Sequence, residues 1–92
     1  MPRFGAVSPK QIIAQAESND SSLTSINLSA NALFKMKTYE YCKLLAEALE
    51  NNTNVTEVIL NDNELTDADC EWIKHLLETN KSVTSLSLNK NK

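Results

Sequence analysis

Glycine is nearly absent from this 92-residue sequence, with Gly5 standing alone. A phosphate-cradling loop needs several glycines whose backbone closes on the ligand, so that class of nucleotide site is excluded. One histidine, His75, leaves no second imidazole for a zinc site. Two cysteines, Cys42 and Cys70, are too few for the disulfide framework of a secreted mini-protein. Positive charge is also short: nine Lys and Arg face twelve Asp and Glu, a formal net charge of −3. That balance speaks against a phosphate-binding surface, and no nucleic-acid partner is expected. Long apolar runs are missing as well. Val58-Ile59-Leu60 is typical of the longest, whereas a membrane span needs about 20 residues. Residues 1–7 carry one Arg but no apolar stretch of signal-peptide length. The reading is a cytoplasmic chain with reduced thiols and no membrane partner.

What remains is ordinary for one small soluble domain: 41% hydrophobic and 23% charged residues. A chain this short buries only about two-thirds of its unfolded surface, so its core must be thin.

The sequence repeats itself. Residues 23–31 (LTSINLSAN), 55–63 (VTEVILNDN) and 83–91 (VTSLSLNKN) share one pattern: aliphatic-x-x-aliphatic-x-Leu-x-x-Asn. Their starts are 32 and then 28 residues apart. Cys42, Leu45, Leu49, Glu50 and Asn52 recur 28 residues later as Cys70, Ile73, Leu77, Glu78 and Asn80. The four extra residues of the first unit fall around 34–37, which predicts a longer loop there. Within each pattern, apolar and polar residues alternate as in a strand, with Ile26 and Leu28 inward and Ser25, Asn27 and Ser29 outward. The three-then-four spacing of Cys42, Leu45, Leu49 and of Cys70, Ile73, Leu77 is one face of a helix.

Helix starts are marked locally. Ser8-Pro9-Lys10-Gln11 offers a capping Ser, Pro at the first helical position and Gln at the capping-box position. Thr66 precedes Asp67 and Asp69, acids that suit a helix N-terminus. Thr38 with Glu40 is a weaker version. Helices are predicted near 9–18, 39–51 and 67–79, each followed by a polar turn and a short strand. Strands separated by helices are parallel and joined by right-handed crossovers, and a fixed period makes a curved solenoid. The predicted organisation is an N-terminal arm over 1–8, then one domain over 9–92. That domain divides into a half unit 9–22, repeats 23–54 and 55–82, and a truncated repeat 83–92.

At these residues the chain resembles the leucine-rich repeat of the ribonuclease-inhibitor-like type. The resemblance rests on Leu23, Ile26, Leu28, Asn31 and Leu33, then Val55, Val58, Leu60, Asn63 and Leu65, then Val83, Leu86, Leu88 and Asn91. It implies an α/β solenoid with strands on a concave face and helices on a convex one. It also implies an asparagine ladder of Asn31, Asn63 and Asn91, with Asn91 at the open end. The sequence departs from the family where Asp67-Ala68-Asp69 stands in place of the frequent Gly before the helix, and where the third unit stops before its helix.

No catalytic residue, metal ligand set or cofactor is expected. Cys42 and Cys70 occupy equivalent positions on neighbouring helices with axes about 8–10 Å apart. A disulfide needs Cα atoms within about 7 Å, so both read as small buried apolar groups. The acids from Asp62 to Glu71 fail as an EF-hand: Asp67 falls where Gly should be and Ile73 where the bidentate Glu should be. His75 lies beside Glu71, Lys74 and Glu78 on the outer helix face and reads as a solvated surface group. Trp72 and Leu76 read as helix-to-helix packing. Serine and threonine are plentiful, but no base or oxyanion site accompanies them.

The outward strand residues then form one surface: Ser25, Asn27, Ser29, Glu57, Ile59, Asn61, Ser85, Ser87 and Asn89. Strand spacing of about 4.8 Å stacks them into a small polar patch with Ile59 at its centre. The expected function is a non-catalytic protein–protein interaction module, part of a longer repeat protein, binding through this concave face. The alternative is a specialised regulator that the resemblance also includes, tropomodulin-like in actin capping or like a Ran-GTPase-activating protein. Self-association through the edge strand 83–88 is a further expectation, because an uncovered edge offers unpaired backbone groups.

Overall fold

A computed structural model describes residues 8–91, so residues 1–7 of the expected arm, and Lys92, lie outside the described part. Helix α1 (Pro9–Glu17) leads to strand β1 (Ser25–Asn27). Helices α2 (Ala32–Met36) and α3 (Thr38–Leu49) precede β2 (Glu57–Ile59), and α4 (Asp67–Thr79) precedes β3 (Ser85–Ser87). The strands form one parallel sheet in the order β1-β2-β3. Ser25, Glu57 and Ser85 stand in register, as do Ile26, Val58 and Leu86, and Asn27, Ile59 and Ser87. The sequence alignment of the repeats and the strand register therefore coincide. Hydrogen bonding runs beyond the named strands, with the Thr56 N–H on the Thr24 carbonyl at 2.8 Å and the Ala30 N–H on the Asn61 carbonyl at 2.9 Å.

Helices cover one face of the sheet, and α3 packs between α1 and α4. Ile26, Leu28, Val55, Val58, Leu60, Leu45 and Leu49 are buried between the layers. The Ser8 hydroxyl accepts from the Gln11 N–H at 3.4 Å, with Pro9 in the first turn as expected. At α4, Thr66 and Asp69 form a capping box, and the Asp69 carboxylate accepts from the Thr66 N–H at 2.9 Å.

Four expectations need correction. The four-residue insertion is a short helix, not a loop, because the Asn31 side chain accepts from the Phe34 N–H at 2.9 Å and starts α2. That turn rotates Phe34 into the core, fully buried, and leaves Leu33 44% exposed, so Leu33 does not fill the place of Leu65. Leu77 is 51% exposed although its counterpart Leu49 is buried, because α4 is the outermost helix of the described array. For the same reason Cys70 is half-buried while Cys42 is buried. Both thiols are free.

Backbone turns repeat as faithfully as side chains. Ala30, Asp62 and Lys90 sit one residue before each ladder asparagine, and all three adopt left-handed φ, at 47°, 56° and 58°. That region favours glycine, which the sequence does not supply at any of them. Asn19, at 57°, closes α1 in the same conformation.

Candidate functional site

The ladder at the strand ends is fully formed. Asn63 is completely buried; its Nδ2 donates to the Leu28 carbonyl at 2.8 Å and its Oδ1 accepts from the Asn31 N–H at 3.1 Å. Asn91 is paired rather than idle at the open end. It donates to the Leu60 and Leu88 carbonyls at 2.9 and 3.0 Å and accepts from the Asn63 and Leu65 N–H groups at 3.0 and 3.1 Å. An amide that both donates and accepts suits these sites where an acid or amine could not.

A second ladder lies at the opposite ends of the strands. Asn52 donates to the Ala16 carbonyl at 2.9 Å and accepts from the Asn54 and Val55 N–H groups. Asn80 donates to the Leu49 carbonyl at 2.7 Å and accepts from the Ser82 and Val83 N–H groups. Asp20 takes the equivalent place in the first unit. The Ser22 N–H, then the Ser22 hydroxyl, then Gln15 hold its carboxyl below the usual carboxylate range. The recurrence of Asn52 as Asn80 was the signal for this ladder.

The outward strand face gathers the nine expected residues in register, and many of them bond to one another. The Ser25 hydroxyl donates to Glu57 at 2.8 Å and the Ser87 hydroxyl to Asn61 Oδ1 at 2.7 Å. Asn61 Oδ1 also accepts from the Asn89 N–H at 2.7 Å, and Asn27 Oδ1 from the Ser29 N–H at 3.0 Å. The Ser29 hydroxyl is buried without a partner among the described residues. Ile59 is half-buried at the centre, and Ser25, Asn27, Ser85 and Asn89 are exposed. The face is thus a flat polar lattice whose groups are largely satisfied internally.

The helix face is more varied than the sequence suggests. His75 Nε2 lies 2.9 Å from Glu50 Oε2, so it bridges α4 to the end of α3 instead of standing free in solvent. Its ring meets Trp72 edge-on at 5.9 Å, and Trp72 meets Tyr39 edge-on at 6.1 Å. Leu76 is buried as expected between helices, while Trp72 is half-buried with its indole Nε1 lacking an acceptor among the described residues. Asp69 is buried at 2% exposure and accepts a third bond, from the Thr38 hydroxyl at 2.9 Å, which ties the starts of α3 and α4 together. Burial, with Asp69 and Cys70 adding to it, pushes the Cys42 thiol up to about 12. Cys70 is raised too, again first by burial and then by Asp69, Asp67 and Glu71. Neither thiol is poised as a nucleophile. Among the described residues no three His, Cys, Asp or Glu side chains are placed to hold a metal ion. No helix among them is long and apolar enough to cross a membrane.

No protein-family model matches the sequence, and no curated protein does. Solved structures do. The tropomodulin C-terminal domain from Caenorhabditis elegans superposes with a TM-score of 0.79 over 92% of this chain at 21% identity. A structure named leiomodin-1 actin-binding site 2 superposes with a TM-score of 0.80 over 99% of this chain at 27% identity. In both cases this chain spans 49% of the other chain's length. Three helix–strand units, a parallel sheet and an asparagine ladder together give this chain a leucine-rich-repeat-like fold, shared with these two domains.

Proposed function

We propose that this chain is part of a non-catalytic actin-binding protein of tropomodulin-like kind, with a cytoplasmic location. One observation carries the reading: nearly the whole chain superposes on a domain named for its actin-binding site. The fold is compatible with many roles, so the name of a neighbour supports the partner and not the fold alone. In this reading the ribonuclease-inhibitor-like pattern continues as a solenoid in a longer protein, and the concave strand face offers protein contacts. No observation favours the GTPase-activating alternative. The edge β3 retains its proposed tendency to self-associate, because Val83, Leu86 and Leu88 are only half-buried where their counterparts are covered.

The test is binding of the purified chain to actin, as monomer by fluorescence anisotropy and as filament by co-sedimentation. Sedimentation equilibrium of the chain alone comes first, to fix its own association state. Saturable binding to either form of actin supports the proposal. Absence of binding to both forms overturns it.

A further inference from the structure

Repeats allow one unit to serve as the control for another. The second unit runs from its ladder residue Asn63 through buried Leu65 to α4 with no exposed apolar side chain on the way. The first unit covers the same ground with four more residues, and the excess is α2. Its backbone path departs at once: Glu64 turns left-handed at φ 59°, whereas the equivalent Ala32 is helical. The insertion contributes Phe34 to the core but exposes Leu33 at 44% and Met36 at 76%. Tyr39 follows at 52%. These are three of the large apolar side chains that the described residues leave in solvent, gathered within seven positions. Folding gains nothing from exposing them, and insertions in repeat arrays cluster on binding faces.

Two further facts point to what sits there. Lys35 and Lys37 are exposed between these side chains, and neither has an acid within ion-pair distance among the described residues. Residues 31–39 carry no acid at all, although the whole chain is net negative. Beyond the Tyr39–Trp72 contact lies a mixed groove of about 320 Å³, lined by Tyr39, Trp72 and His75 together with Glu71, Lys74 and Glu78. Tyr and Met are enriched at interface centres, and free cations belong at a rim that steers an acidic partner. The strand face has neither feature: its hydroxyls and amides are largely spent on each other.

We infer that this corner, Leu33 and Met36 of α2 with Tyr39 of α3, rimmed by Lys35 and Lys37, is the main docking surface for actin. The surface it takes is acidic around an apolar hollow that receives Met36 and Tyr39. The inference rests on the actin-binding reading and moves the principal contact off the concave face.

Labelled monomeric actin is titrated with the chain and three variants, each first shown to keep wild-type circular dichroism and melting. Leu33→Ser/Met36→Ser is expected to lose at least about 10-fold in affinity, since a few buried anchors at an interface centre carry most of the binding energy. Lys35→Glu/Lys37→Glu is expected to bind weakly at low salt and to invert the salt dependence of the wild type, because salt then screens a repulsion. Lys81→Ser, at an exposed position in the turn at the opposite ends of the strands, is expected to stay within about two-fold. Wild-type binding by both corner variants overturns the inference and leaves the actin reading standing. Failure of the wild-type chain to bind actin removes both.

Discussion

Replacing Asn63 with Ala isolates the ladder, because that side chain is completely buried and does two jobs. The substitution leaves the Leu28 carbonyl without its 2.8 Å donor and the Asn31 N–H without its 3.1 Å acceptor. Each unmet buried group costs about 1–3 kcal/mol, and partial relaxation brings the total to about 2–4 kcal/mol. In a domain of this size each kcal/mol moves the melting midpoint by about 4–8 °C, so a fall of roughly 8–32 °C is expected. Asn61 is the control. It is two residues away and also hydrogen-bonded, to the Ser87 hydroxyl and the Asn89 N–H, each at 2.7 Å. Those partners lie on the open strand face where water can replace the amide, so Asn61→Ala should cost only about 0.5–1 kcal/mol. Urea titration followed by circular dichroism reads both, with an unchanged m-value showing that stability alone has moved. Equal shifts for the two variants would refute the assignment of Asn63 to a buried ladder.

Ala30→Gly should stabilise the chain by about 1 kcal/mol, because alanine is held at φ 47° and glycine relieves the Cβ clash; a melting point that falls would contradict this. Cys42 predicts an alkaline limit. The unfolded thiol ionises from about pH 9 while the folded one keeps its proton up to about 12, so the unfolded state gains as pH rises. Cys42 should contribute a fall of about 1.4 kcal/mol per pH unit in that window, and Cys42→Ala should remove that part of the slope in pH-dependent urea melts, leaving the part due to Cys70. Thiol labelling of the native chain should reach half-buried Cys70 before buried Cys42.

Repetition made most of the frame legible. Val55 to Asn63 could be aligned with Val83 to Asn91 because every unit must present the same inward residues to the same neighbours. Legibility failed wherever a unit lacks a neighbour or departs from the period. Leu77 has the sequence position of Leu49, but among the described residues no helix packs beyond α4 to cover it. Leu33 has the position of Leu65, but Asn31 starts a helix that turns Phe34 inward instead. His75 was assigned by helical spacing alone, which does not reveal Glu50, a partner 25 residues away on α3. The strand face was placed residue by residue, yet the bonds that Asn61 and Glu57 make across it depend on rotamers that no pattern encodes.

Both asparagine ladders lean the same way along the chain. Asn52 reaches back to Ala16, Asn63 to Leu28, Asn80 to Leu49 and Asn91 to Leu60. These four carbonyls are therefore satisfied by side chains of the unit made after theirs. During synthesis, at about 5–20 residues per second, a finished unit waits roughly one and a half to six seconds for the next 28 residues to appear. Its own sequence can draw the strand and helix together in that interval, but these helix-end and strand-end carbonyls stay with water until the successor docks. Folding is therefore expected to proceed in chain order, each repeat completing the hydrogen bonding of the one before. Opening runs in the reverse sense: peeling the last unit strands carbonyls in the unit beneath, while fraying of α1 leaves every later carbonyl satisfied.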